Sequence, residues 1–266
     1  MSTYLDVVRY RDLLGNLFRR DLQAKYRGSA LGVLWTIANP VMLMGVYLLV
    51  FGVVWHSPFA SNGGHYALFL LTGLSLWTFF AAAVQSSTRS MLDNANLIRK
   101  TRFPRQLVPL SVVFAHLVSF VAMLLLLLVL NFIVLARVRA TEWLAIPLCL
   151  LFVGVVCGIA LALASLNVLF RDVEFIVAAL LVPLFFLTPI LYALTGSPLD
   201  EHHTIVQFIH WANPLSPAIE AVRAPLFAGT LPFWGDALYL AVSCVLALLL
   251  GAFVFTRVDD QIAIEV

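Results

Sequence analysis

The sequence predicts an all-α integral membrane protein. It expects six transmembrane helices, an amphipathic helix ahead of them, and short re-entrant helices on the outer side between spans five and six. Three observations carry this. Hydrophobic residues make up 62% and charged residues 11% of the 266 residues, whereas a soluble domain runs about 45–50% apolar and about 25% charged. That excludes an ordinary soluble enzyme and a disordered chain, and a net charge of +2 gives no case for nucleic acid. Six stretches are apolar over roughly the 20 residues that a helix rising about 1.5 Å per residue needs to cross about 30 Å of hydrocarbon. Finally, thirteen of the sixteen Lys and Arg residues fall on one side of those stretches.

The spans are expected at about Val33–Trp55, Tyr66–Gln85, Leu107–Leu135, Trp143–Phe170, Val173–Ala193 and Phe233–Thr256. Backbone amides without partners in lipid cost several kcal/mol each, so the spans should be helical. The alternating ten-residue segments of a membrane β-barrel do not occur. Basic residues cluster before span one (Arg9 to Arg27), between spans two and three (Arg89 to Arg105), and at Arg171 and Arg257; Arg137, Arg139 and Arg223 lie opposite. The positive-inside rule puts both termini in the cytoplasm. About thirty polar and basic residues precede span one, too many for a signal peptide. The organisation expected is a cytoplasmic interface helix within 1–32, a transmembrane domain over 33–256 and a cytoplasmic tail over 257–266.

Before span one, Tyr10, Leu13, Leu14, Leu17 and Phe18 recur at helical spacing, with Arg11, Asp12, Arg19 and Arg20 largely elsewhere and Asp21 close to the stripe. A membrane-surface anchor and a functional interface helix both fit. The loop 89–104 is basic yet carries Met91, Leu92, Leu97, Ile98 and Phe103, and Pro104 ends any helix there. It reads as a short helix docking on a partner, or as a loop that only fixes topology. The segment 198–232 holds five of the twelve prolines, which favours short half-helices from the outer face, a gate or pore mouth. Pro183 and Pro189 add kinks to span five. In span four, Gly154, Gly158 and Ala162 permit close helix approach, within one chain or between two.

No P-loop is present, since neither Lys25 nor Lys100 follows Gly-x-x-x-x-Gly. No metalloprotease, nucleophile-elbow or Cys-x-x-Cys motif occurs. Cys149, Cys157 and Cys244 lie in spans and read as packing residues. His202, His203 and His210, with Asp200 and Glu201, read as solvated loop residues, so no metal is expected. His116, alone in span three, reads as a hydrogen-bonded core histidine. The spans are nearly free of charge, which weakens a proton-coupled carrier, but rich in rings. Those rings are lipid-facing or core, or else a track along which sugars stack.

The run Arg20 to Trp35 (RDLQAKYRGSALGVLW), followed by Asn39-Pro40, resembles the opening of ABC-2 type permeases that export polysaccharides, above all O-antigen and teichoic acid. Asn94 to Pro104, Asn213-Pro214-Leu215-Ser216-Pro217 and Ser165 to Val173 agree with it. The resemblance implies the ABC-2 exporter fold and a homodimer joined to two copies of a separate ATPase chain, which binds ATP and Mg; this chain would carry no cofactor and no catalytic residue. It implies a coupling helix involving Arg89, Asn94, Asn96, Leu97, Ile98, Arg99, Lys100, Phe103 and Pro104. It implies a conduit along spans one, two and five with Trp35, Tyr47, Phe51, Trp77, Phe185 and Phe186 as liners, and an outer gate with Asn213, Pro214 and Pro217. The substrate would be an undecaprenyl-diphosphate-linked polysaccharide crossing the bacterial cytoplasmic membrane, its diphosphate guided by Arg19, Arg20, Lys25, Tyr26 and Arg27. An exporter of a small lipid or drug, and a stand-alone carrier or enzyme acting on lipid-linked sugar, are the alternatives.

Overall fold

The computed structural model describes residues 10–26, 32, 34–47, 49–50, 63–100, 103–135, 140–193 and 203–265. Among them every regular element is helical. The helices are α1 (Arg11–Tyr26), α2 (Leu34–Tyr47), α3 (Gly63–Asp93), α4 (Ala95–Lys100), α5 (Leu107–Leu135), α6 (Ala145–Leu169), α7 (Asp172–Leu187), α8 (His203–Ala212), α9 (Leu215–Arg223) and α10 (Trp234–Glu265).

Among the described residues, four helices are long and apolar enough to cross a membrane, at Tyr66–Asp93, Leu107–Ile133, Thr141–Leu169 and Trp234–Asp259. They answer to the second, third, fourth and sixth expected spans. Two are longer than expected. α3 runs through Gln85 to Asp93, so Arg89 stands in a helix rather than a loop. α10 carries most of the expected tail as helix. The first and fifth stretches form shorter helices. α2 is interrupted by nothing as far as Tyr47, Pro40 included, but Phe51 to Trp55 lie outside the described residues. α7 continues through Pro183 and ends at Leu187. Its 16 residues span roughly 24 Å at 1.5 Å per residue.

α3 is the central helix, packed against α5, α6, α2, α7 and α9. It is a polar-studded span, and most of its hydroxyls are satisfied locally. Thr72, Thr78 and Thr88 donate to the carbonyls of Leu68, Leu74 and Val84, and Ser75, Ser87 and Ser90 donate to carbonyls three residues back. Such back-bonding allows Ser and Thr inside a dry bundle without partners on other helices. Pro109 and Pro147 stand in the first turns of α5 and α6, where a missing N–H costs nothing.

The most extensive contact in the molecule is between α6 and α10. A Cβ added at Gly158 would strike the backbone of Ala247, one at Gly251 would strike Gly158, and one at Gly154 would strike Cys244 Sγ. The small-residue face of span four therefore serves packing within one chain. Cys149, Cys157 and Cys244 are buried free thiols in this region.

Candidate functional site

α1 lies across α5. Leu17 is buried and Leu14 packs on the core, so the expected stripe is an intramolecular face. Asp21, the residue that spoiled its amphipathicity, accepts a 2.7 Å hydrogen bond from Ser111 Oγ and pairs with Arg20 at 2.7 Å. Arg19 is exposed on the same helix; the side chain of Tyr26 and all of Arg27 lie outside what is described. Lys25 Nζ donates to Ser119 Oγ at 2.7 Å and to His116 Nδ1 at 3.2 Å. His116 Nε2 lies 3.1 Å from Ser86 Oγ. An ammonium only donates, so this network assigns the imidazole proton to Nε2. His116 is hydrogen-bonded as expected, but it sits between α1 and α3 rather than alone in a core. Burial around the Lys25 ammonium lowers its pKa to about 8.

The expected coupling loop is the end of α3, the helix α4 and the turn to α5. Arg89 bridges Asp93 at 3.1 Å and Glu174, in the first turn of α7, at 3.0 Å. Arg105 pairs with Asp259 near the end of α10 at 3.1 Å. Asn94 Nδ2 donates to the Ser90 carbonyl and closes the turn into α4. The apolar residues do not all face outward, as the docking reading supposed. Met91 is fully buried and Ile98 is 7% exposed within the chain's own core, with Leu92 and Phe103 packed beside them. In water these side chains gain more from the bundle beneath them than from an exposed position. The outward face of α4 is consequently polar: Asn96, Arg99 and Lys100 are exposed there, Leu97 is half-buried, and Pro104 turns the chain back to α5.

Further along the bundle, Tyr47 of α2 stacks on Phe185 of α7 with centroids 6.1 Å apart. Trp77 of α3 meets Phe185 edge-on at 5.4 Å, and Phe185 meets Phe186 at 5.3 Å. Four of the expected conduit residues thus form one cluster joining α2, α3 and α7. Trp77 is buried beneath Phe185, whereas Phe186 is 63% exposed. Trp35 is not part of it; it lines a cavity with Lys25.

The expected outer segment contains two helices of 10 and 9 residues, α8 and α9, too short to cross a bilayer. Asn213-Pro214 forms the break between them. Asn213 Oδ1 accepts from the Leu215 amide at 3.0 Å, and its Nδ2 donates to Thr188 Oγ1 at 2.8 Å. Pro217 is buried in the first turn of α9. His210 pairs with Asp236 of α10 at 2.7 Å. The side chain of His203 and all of His202 lie outside what is described.

Sequence reasoning missed the residues that fasten this segment. Arg223 is 3% exposed. It pairs with Glu220 at 2.7 Å, donates to the Pro189 carbonyl at 2.8 Å and stands 3.7 Å from the centre of the Phe69 ring. The signal was available as Glu220-x-x-Arg223, opposite charges at helical spacing within an apolar segment. Asn131 of α5 donates to the Leu226 carbonyl. Asn167 Oδ1 accepts from the Glu174 amide at 3.0 Å and so satisfies one of the first-turn N–H groups of α7.

Long apolar helices, a polar-studded central span satisfied from within and buried links between helix ends define a multi-pass helical membrane protein. Residues 13–227 match the model of the ABC-2 type transporter family. The chain is 33% identical over 261 residues to an O-antigen export system permease protein, RfbA, of Myxococcus xanthus, covering 97% of this chain and 96% of that one. It is 33% identical over 226 residues to the RfbA permease of Klebsiella pneumoniae, covering 84% and 83%. It is 24% identical over 240 residues to the polysialic acid transport protein KpsM of Escherichia coli, covering 88% and 89%. This chain belongs to the ABC-2 type transporter family.

Proposed function

We propose that the chain is the permease subunit of an ABC exporter that moves a lipid-linked polysaccharide of O-antigen type across the bacterial cytoplasmic membrane. Its functional unit is a homodimer with two copies of a separate ATPase subunit. That subunit supplies the Mg-ATP site; this chain has no P-loop. Both termini and α4 face the cytoplasm, and α2 and α7 complete six spans. The relatives named above for O-antigen export and polysialic acid transport support the substrate class.

The observation that carries the mechanism is the reach of α7. Its first turn holds Glu174, paired with Arg89 at the docking loop. Eleven residues on, roughly 17 Å along the axis, Phe185 and Phe186 join the aromatic cluster. Immediately past its end, Thr188 and Pro189 are held by Asn213 and Arg223 of the outer segment. One rigid helix thus connects the loop that would receive a partner's stroke, the rings that would stack on sugar faces, and the helices that would close the outer mouth. Rings without fixed charge let a neutral polymer slide, which suits a conduit better than a binding site.

Docking through the polar face of α4 is tested by Arg99→Glu and Lys100→Glu. Each should reduce polysaccharide export at least tenfold while the chain still inserts and still co-purifies as a dimer. Normal export from the double variant would sink the coupling assignment. Ile98→Asp is a poorer test, because Ile98 belongs to the chain's own core. If the substrate is instead a small lipid or drug, the complex's ATP hydrolysis will respond to that compound and not to lipid-linked glycan.

A further inference from the structure

α8 is fastened to the bundle along one side and left bare on the other. His210 Nε2 lies 2.7 Å from Asp236 Oδ1, Tyr239 Oη donates to the Trp211 carbonyl at 3.0 Å, and the rings of Trp211 and Tyr239 stand 5.6 Å apart. Asp236 and Tyr239 follow closely on Trp234, where the spanning stretch of α10 begins; they stand roughly 3 and 8 Å along its axis. The polar layer on each side of the hydrocarbon is about 5–8 Å thick. α8 is therefore held at the depth where a bilayer passes from head groups to chains. Its bare side carries Phe208, 71% exposed, and Trp211, 42% exposed, with the exposed Thr204 and Gln207 beside them. Large rings interleaved with uncharged polar groups suit an interface, apolar on one side and wet on the other. The helix contains no Lys, Arg, Asp or Glu. Its neighbours agree. Trp143 and Trp234, each 72% exposed, stand where the spans of α6 and α10 begin. On α10, Leu238, Val242, Val245, Leu249 and Phe253 form an exposed apolar stripe at spacings of three and four, and an exposed apolar stripe on a spanning helix faces lipid. Tyr239 is two turns before the exposed Leu246 and so stands on the flank of that stripe. The bare side of α8 continues the lipid-facing surface, whereas Leu215, Ala218, Ile219 and Val222 of α9 are buried.

We propose that α8 is a membrane-interface anchor, with Phe208 and Trp211 inserted among the head groups and upper chain segments of the adjoining leaflet. Without charge on the helix, zwitterionic lipid is enough to hold it. That this leaflet is the outer one rests on the functional reading above; the contact with lipid does not. The break at Asn213-Pro214 then separates an element held by the bilayer from one held by the bundle. The two donors that reach the end of α7 come from the break itself and from α9, through Asn213 and Arg223. Within the expected outer gate, α9 is the part tied to α7, and α8 is the fixed point against which it turns.

The test uses the full-length chain in phosphatidylcholine liposomes, with Cys149, Cys157 and Cys244 replaced by Ala and a nitroxide attached through Phe208→Cys or Trp211→Cys. Collisions with oxygen, which concentrates in lipid, and with a water-soluble nickel chelate report the surroundings of the label. Val245→Cys and Arg171→Cys, at exposed positions in a span and between α6 and α7, give the lipid and water references. Both α8 labels should favour oxygen over chelate about fivefold more than the Arg171 label, at a depth of about 5–10 Å into the boundary of head groups and chains. Replacing a quarter of the lipid by phosphatidylglycerol should leave that depth unchanged. In the chain with its native cysteines, phosphatidylcholine brominated along its chains should quench tryptophan emission, and Trp211→Phe should remove part of that quenching.

Labels open to the chelate overturn the anchor in favour of a water-facing surface. Labels shielded from both reagents overturn it in favour of a protein cover, a second copy of this chain included. Insertion that appears only with phosphatidylglycerol overturns the claim that the rings alone hold the helix. Quenching unaffected by Trp211→Phe overturns the proposal whether or not the cysteine-free chain folds. These measurements need neither glycan nor ATPase, so the two levels separate. Failure here leaves the export reading standing, whereas absence of glycan export removes that reading and leaves the lipid contact in place.

Discussion

Arg223 shows how much one side chain can hold together. Its guanidinium meets a carboxylate on its own helix, a carbonyl just past α7 and the face of a ring on α3. Replacing it with Met leaves Glu220 and the Pro189 carbonyl without their donor. The expected cost is about 3 kcal/mol, the low end for breaking a buried pair, because Glu220 keeps some contact with water. Chemical denaturation of the micelle-solubilised protein measures it, and a loss under about 1 kcal/mol would show that the outer segment is held by packing alone. Residue-level roles were only partly legible in the sequence. Asn213 and Lys25 stood in recognisable motifs, and the geometry gave them partners. Asn131 and Thr188 carry no signal, because a buried amide or hydroxyl is told from an exposed one only by the neighbour that folding supplies. The long-range partners of Arg89 and Arg105, Glu174 and Asp259, lie 85 and 154 residues away, beyond any periodicity argument.

At the scale of the helix, the α6–α10 contact is set by glycines. A side chain at Gly158 must push Ala247 away, so Gly158→Val should destabilise the bundle by about 3 kcal/mol or more. Gly45, with open space around the position of a Cβ, is the matched control, and Gly45→Ala should be close to neutral. Thermal unfolding of both variants in one detergent gives the comparison. The long apolar spans were legible because composition over twenty residues is a strong signal. The ends were not: α3 outran its expected boundary because the polar run Ser86 to Ser90 continues the helix to the buried Met91. The orientation of α4 was misread for a related reason. Apolar residues in a short basic loop look like a docking surface until Met91 and Ile98 are seen to fill the chain's own core. The role of α7 as a connector makes a further prediction. A partly exposed ion pair contributes about 0–1 kcal/mol to stability, so Arg89→Glu and Glu174→Arg should each leave folding intact. Each alone should lower export several-fold, and the double exchange should restore much of it. Additive losses in the double variant would show that the pair transmits nothing.

For the molecule as a whole, the distribution of charge organises the reading. The spans hold rings and locally satisfied hydroxyls, and the charged pairs gather at helix ends. One such pair ties the end of α3 to α7, and another ties the turn before α5 to α10. The proposed function assigns ATP hydrolysis to a second chain, since the sequence carries no P-loop motif. The direct measurement is uptake of undecaprenyl-diphosphate-linked polysaccharide into inside-out proteoliposomes containing this chain with its ATPase partner. Export driven by a separate subunit predicts ATP-dependent protection of the glycan inside the vesicles. It also predicts that protection vanishes when the partner is omitted or its Walker lysine is replaced. Glycan movement by this chain alone, or ATP hydrolysis by the complex that never moves glycan, would contradict it.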